Sequence, residues 1–458
     1  MRKEKCPDGS KDENVFDIRQ GVAIALFIKK RDGQKECKVY RSEIWGLREK
    51  KYDWLLENDI NTTKWEKLSP KYEFYLFITR GEKLLEQYDK YPKITEIFPL
   101  NGVGMTTARD SFVIDKEKNT LLNRIRLFKN SKYSDDELHS FFQINKKKGW
   151  SIRKAWNMLQ SISDSDLNKF ILPVLYRPFD IQWIFYHDSV VWRTVKRIMR
   201  HMVEKNIGFL FTRPQSPKYQ FSVVVSEKII DQCAIGNKSA GAGISYIAPL
   251  YLYPDKDKKD LFSSNKRTMK RQTNISPQLL IALAEVFKKE PTPEEVLYYI
   301  YAVFYSNIYR SKYAEFLRTD FPRIPFNKDY RVFYKMGEYG KRLVDLHLLK
   351  SNELDRPIAK FQGKGDYKVE KVKYKQGKVY INNDQHFEGI SPEVWEYQIG
   401  GYQVCDKWLK DRKGRVLSLD DIRHYCKVVT SIGKTIEVHK AIDEIFSEVE
   451  KETIDFKL

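Results

Sequence analysis

A mixed fold, α/β in composition with helices and several small sheets (α+β), follows from three features of the sequence. Long stretches with a 3.6-residue apolar period alternate with short runs of period two, and turn residues punctuate both. The clearest helix signal lies in 292–326, TPEEVLYYIYAVFYSNIYRSKYAEFLRTDFPRIPF. Thr292 suits the cap, Pro293 the first helical position and Glu295 the reciprocal acid of a capping box. Val296, Ile300, Val303 and Phe304 then predict one apolar face, while Arg310, Lys312 and Arg318 add cations farther along. Pro322 and Pro325 stop the helix, because proline cannot continue it and disfavours helix in the residue before.

Taken in order, the chain opens on a polar loop to about residue 13. The run 22–28, VAIALFI, reads as a buried strand, Gly33 as a hairpin turn and 38–41 as its return strand. Such a hairpin is too small to stand alone and must join a larger sheet. Residues 72–79 predict a further strand, and 101–110 a glycine-rich turn without the Gly-Lys-Ser/Thr ending of a phosphate-cradling loop. Helices are expected over 134–144 and 151–170, then a strand from Asp180. Arg193, Lys196, Arg197 and Arg200 have the spacing that places cations on one helix face. Three strand candidates follow at 206–213, 221–230 and 244–253, with Pro249 arguing for an edge in the last. The polar stretch 254–275 reads as a linker, 368–382 as an antiparallel hairpin, and Ser418 as the cap of a late helix.

Composition narrows the function. The chain has 458 residues, 82 Lys+Arg against 62 Asp+Glu and a net charge of +20, which favours a polyanionic partner such as nucleic acid. Its 41% hydrophobic content is enough for a substantial core. No run of about 18 apolar residues is present, so no membrane span is expected. Cys6, Cys37, Cys233, Cys405 and Cys426 are scattered and odd in number, which suggests free thiols in a reducing cytoplasm. The seven histidines have no metal-ligand spacing. Pro7-Asp8 with Glu36-Cys37-Lys38, and Pro254-Asp255, match a nuclease pattern in letters only, as chance allows in a chain with 31% charged residues.

Asn14-Val15-Phe16 followed by the apolar run resembles the last hairpin of the catalytic sheet in γ-type N6-adenine DNA methyltransferases. The segments Gly104 to Asp110, Tyr176-Arg177-Pro178-Phe179-Asp180 with the basic stretch ending Met199-Arg200-His201-Met202, 292–326 and 394–421 resemble the C-terminal target-recognition region of Type ISP and related Type IIG restriction-modification enzymes. The resemblance implies a mixed-sheet DNA target-recognition domain followed by a helical and small β region. It divides the chain into 1–45 (last methyltransferase hairpin), 46–270 (target recognition) and 271–458 (C-terminal specificity subdomain). It also implies that Phe16 stacks on a flipped adenine. Implied DNA contacts are Thr106, Thr107, Arg109, Arg177, Arg193, Lys196, Arg197, Arg200, Arg310, Lys312, Arg318, Lys410, Arg412, Lys413 and Arg415.

The chain contains no Pro-Pro, hence no Asn-Pro-Pro-Tyr catalytic motif, and no glycine-rich strand–loop for S-adenosylmethionine. It is therefore expected to bind no cofactor alone, with S-adenosylmethionine, and Mg2+ for cleavage, implied for the full-length family. The expected partners are double-stranded DNA and upstream methyltransferase and nuclease domains, in the same polypeptide or a partner chain. The rival expectation is a separate basic DNA-binding or interaction protein without catalysis.

Overall fold

The computed structural model describes residues 6, 10–18, 22–29, 37–68, 82–145, 149–214, 219–237, 242–254 and 271–456. The chain forms two compact units, Met1–Tyr88 and Asp89–Leu458.

In the first unit, helix Arg48–Glu57 anchors the segment before it. Lys51 ion-pairs with Asp12 at 2.6 Å, both buried, and also donates to the Glu13 carbonyl at 2.7 Å. Strand Val39–Arg41 pairs antiparallel with Glu66–Leu68. The expected hairpin is corrected here. Residues 22–29 form no strand, and Ile24, Phe27 and Ile28 are 78%, 90% and 79% exposed. A run apolar at successive positions needs cover on both faces, which a two-stranded ribbon cannot give. The predicted turn at 31–34 and the predicted strand at 72–79 lie outside the described residues.

Among the described residues, the second unit holds three four-stranded sheets and a helical core. One sheet runs Gly102–Val103, Tyr246–Pro249, Gly208–Phe211, Val223–Ser226, all antiparallel. Pro249 is thus on an inner strand, not an edge; it ends that strand, opposite Gly208, beyond the Gly102–Val103 pairing. The second sheet runs Ile114–Asp115, Asp180–Phe185, Ile171–Arg177, Ile229–Ile230, its last pair parallel. The third runs Lys360–Gln362, His386–Glu388, Lys378–Tyr380, Lys373–Lys375, containing the hairpin expected at 368–382.

The flanks of the polar stretch return to the same unit. Tyr251–Leu252 pairs with Gln272–Thr273, and the Asn274 amide donates to the carbonyls of Leu100 and Pro249 at 2.7 and 2.8 Å. The division of the chain therefore falls at Tyr88, and the junction read at 270 lies within one compact unit.

Helix Pro293–Tyr305 is the centre of that unit. Its capping box forms as expected: Glu295 N–H donates to Thr292 Oγ1 at 3.2 Å and Thr292 N–H to the Glu295 carboxylate at 2.7 Å. The expected single apolar face is corrected. Val296, Leu297 and every residue from Tyr299 to Tyr305 are buried, so the helix is enclosed nearly all round. It stops at Tyr305, and Ser306 caps a new helix, Asn307–Lys312, followed by Ala314–Thr319. Helices Tyr330–His347 and Leu419–Val449 pack on it. Gly340 permits the closest approach, since a Cβ there would meet the Tyr298 carbonyl at 1.8 Å.

Two histidines are sealed in this core. His347 accepts or donates at 2.6 Å with the Tyr301 hydroxyl and at 3.0 Å with Thr435 Oγ1, while His439 meets the Tyr397 hydroxyl at 3.1 Å. Burial pushes both imidazoles down to about 3. Because the folded state holds them neutral, their stability contribution is full above the ordinary value near 6.5 and is lost as pH falls below it. Between pH 7 and 5 each should cost about 2 kcal/mol, read as a falling melting temperature. His347→Gln should lower the melting temperature at pH 7 yet flatten that decline; an undiminished decline would contradict the assignment.

Candidate nucleic-acid interface

Two loops of the second unit are locked edge to edge. Thr106 N–H donates to the Arg193 carbonyl at 3.0 Å, Arg193 N–H returns to Thr106 at 2.9 Å, and Trp192 N–H reaches the Thr107 carbonyl at 3.2 Å. Gly104 lets the first loop approach its neighbour, since a Cβ would lie 2.7 Å from the Asp231 backbone. Each loop then holds a non-glycine residue in left-handed backbone, Ala108 at φ +59° and Val195 at φ +51°. That conformation is unfavourable for an alanine and more so for a β-branched valine, and such strain concentrates at binding sites.

The first loop is fixed from inside. Thr107 Oγ1 donates to the Asp110 carboxylate, which also accepts from the Tyr176 hydroxyl at 3.0 Å. Arg109 is 4% exposed. Its guanidinium lies 3.7 Å from the Trp150 ring centre and donates to the Val190 and Thr107 carbonyls at 2.8 and 3.2 Å. Burial with no facing carboxylate pushes it down to about 10. Arg109 and Thr107, both read as DNA contacts from the sequence, are thus buried and hold the loop from within.

The second loop is braced by Asp188, which accepts from Thr194 Oγ1 at 2.7 Å and ion-pairs with Lys196. Trp150 Nε1 donates to the Ser189 carbonyl at 2.8 Å. Helix Lys196–Val203 begins after Val195, so Arg193 precedes it, and the expected common face for Arg193, Lys196 and Arg197 does not form. Instead the loops present a compact surface of half-buried Thr106 beside exposed Trp192, Arg193, Lys196 and Arg197. Arg193 and Arg197 make no ion pair among the described residues. Arg200, one turn on, is half-buried. This surface combines cations with an aromatic face, the two groups that hold phosphates and bases.

The remaining candidates separate by burial. Arg177 ion-pairs with Asp231 at 3.1 Å and lies 3.9 Å over Tyr176. Arg412 is enclosed, 2.9 Å from the Asp180 carboxylate and 3.3 Å from the Trp408 ring centre. Lys312 pairs with Glu450 at 2.8 Å, and Arg310 donates to the Phe304 carbonyl at 2.5 Å beside the Tyr305 ring. Those four serve the fold. Lys410 pairs with Asp406 at 2.6 Å on the surface, while Arg318, Lys413 and Arg415 are exposed. Phe16, in the first unit, is 55% exposed in a bend. Sequence reasoning passed over Trp150 and Trp192; the step from Trp192 to Arg193 just after a polar turn was the available signal.

Set against known proteins, residues 96–441 match the family model described as the Type ISP C-terminal specificity domain. The chain belongs to that family. Among solved structures it is similar to the ATP-dependent Type ISP restriction-modification enzyme LlaBIII bound to DNA, with TM-score 0.66, 20% identity, and coverage of 96% of this chain and 30% of that one. A nuclease-deletion mutant of the Type ISP enzyme LlaGI with a DNA substrate mimic gives 0.59, 20%, 89% and 33%. The DrdV–DNA complex gives 0.62, 19%, 87% and 42%. The chain therefore spans less than half the length of each. No curated protein matches it. The fold is the mixed one the sequence predicted, and among the described residues no helix is long and apolar enough to cross a membrane.

The burial difference has a direct consequence. Removing Arg412 strands a buried Asp180, so Arg412→Ala should destabilise by about 3–5 kcal/mol. Arg197→Ala, at an exposed cation, should stay within about 0.5 kcal/mol. Urea unfolding of both variants checks this, and equal losses would contradict it.

Proposed function

We propose that this chain is the specificity region of a restriction-modification enzyme and recognises a particular duplex DNA sequence. The observation that carries the reading is the paired loops 104–110 and 187–197, whose strained, internally braced backbone presents Trp192, Arg193, Lys196 and Arg197 outward. A net charge of +20 supports it, and the family and the DNA-bound relatives agree. In this reading Arg193, Lys196 and Arg197 neutralise phosphates, while Thr106 and the Trp192 ring meet the bases.

In this reading the chain works with methyltransferase and nuclease domains that supply S-adenosylmethionine and Mg2+ chemistry for adenine N6 methylation and cleavage, in the cytoplasm. The exposed apolar run 22–29 supports a partner sheet, and exposed Phe16 supports stacking on the extruded adenine.

The test is selection of duplexes from a random library by the 458-residue chain, followed by a salt titration of the winner. A selected duplex should bind at least about 1000-fold tighter than random DNA. Arg193→Gln with Arg197→Gln should make the dependence of log K on log salt shallower by about 2. Equal binding of all duplexes would leave only a non-specific basic protein.

A further inference from the structure

The third sheet of the second unit has two unlike faces. Its inner residues, Phe361, Tyr374, Val379 and Phe387, pack on an aromatic platform: Phe387 lies 4.4 Å from Tyr425, and Tyr374 stacks on Trp395 at 5.2 Å. The strand pairings fix what shares the other face. Lys375 stands opposite Lys378, Lys373 opposite Tyr380, and Lys378 and Lys360 both flank Glu388.

This outer face carries four lysines and His386 around one acid. Glu388 is already engaged, accepting from the Gln362 amide at 2.8 Å and lying 3.8 Å from Lys378. Lys360, Lys373 and Lys375 are exposed and make no ion pair among the described residues. Lysines on edge strands discourage strand addition, which accounts for those on Lys360–Gln362 and Lys373–Lys375. Glu388 opposite Lys378 accounts for that inner-strand lysine, but not for Lys375 standing directly against Lys378, since two opposed lysines destabilise a sheet unless an anion lies between.

We propose that this outer face is a second, sequence-independent surface for the phosphate backbone of duplex DNA, separate from the paired loops; it rests on the DNA-recognition reading above. Lys373 and Lys375 point the same way about 7 Å apart along their strand, and the face is about 14 Å across four strands. A two-stranded ribbon enters a major groove about 12 Å wide, whereas a face four strands across does not, so its ammonium groups meet phosphates and not base edges. The face anchors the duplex while the loops read it.

The test uses the full chain carrying Lys360→Gln, Lys373→Gln, Lys375→Gln and Lys378→Gln, with a random-sequence duplex and the library-selected duplex. The log K against log salt slope should become shallower by about 3–4, while the preference for the selected duplex over the random one stays unchanged. Lys375→Glu, which relieves the opposition to Lys378, should raise the melting temperature while weakening DNA binding. An unchanged slope beside a wild type that binds DNA would overturn this face alone. A wild type that binds no duplex would instead remove the DNA-recognition reading itself. Binding to poly-glutamate that falls in the quadruple variant, with DNA binding unchanged, would assign the face to an acidic polypeptide and overturn the proposal.

Discussion

A hydroxyl on a buried ring has to donate to something, and in this protein that requirement ties the second unit together. Tyr299 donates to the Pro325 carbonyl at 2.7 Å, Tyr305 to the Val223 carbonyl at 2.7 Å, and Tyr309 to the Arg323 carbonyl at 2.6 Å. Tyr301 meets His347 on the neighbouring helix. These bonds join the central helical segment to three other parts of the unit: the 323–325 stretch, the outer strand of the first sheet and helix Tyr330–His347. A buried donor left unpaired costs about 1–3 kcal/mol, so the elements cannot slide past this helix without penalty. The aromatic rings contribute burial and the hydroxyls contribute register.

That frame makes the paired loops possible. Backbone held at positive φ persists only where the surroundings over-determine it, and here they do. Asp110, Tyr176 and Arg109 fix one loop from beneath, and Asp188 and Trp150 fix the other. The result is a preorganised surface with little ordering left to do on binding. Cations thus fall into two populations. Arg109, Arg177 and Arg412 are interior and stacked on aromatic rings, while Arg193, Arg197 and the sheet lysines face solvent.

Local signals were legible in the sequence. The Thr292 box, the Ser418 cap and the 373–380 hairpin all depend on residues within a few positions of one another, and all form. What could not be read was which cations are free. Arg412 finds Asp180 from 232 residues away, Lys312 finds Glu450 from 138, and Arg177 finds Asp231 from 54. No periodicity encodes such pairs. The same limit explains the N-terminal hairpin, whose apolar strand is a sound local pattern without a sheet to complete it, and the flat reading of Arg193 as helical when its backbone pairs with Thr106. The family resemblance singled out residues of both loops but could not say that Thr107 and Arg109 support the first from within.

The central claim is that the two paired loops meet DNA. The most direct measurement is amide hydrogen exchange of the chain with and without its selected duplex. The account predicts slowed exchange in 104–110 and 187–197, with the central helix 293–305 unchanged because its amides are already protected. Exchange unaltered in both loops, with protection gained only elsewhere, would contradict it.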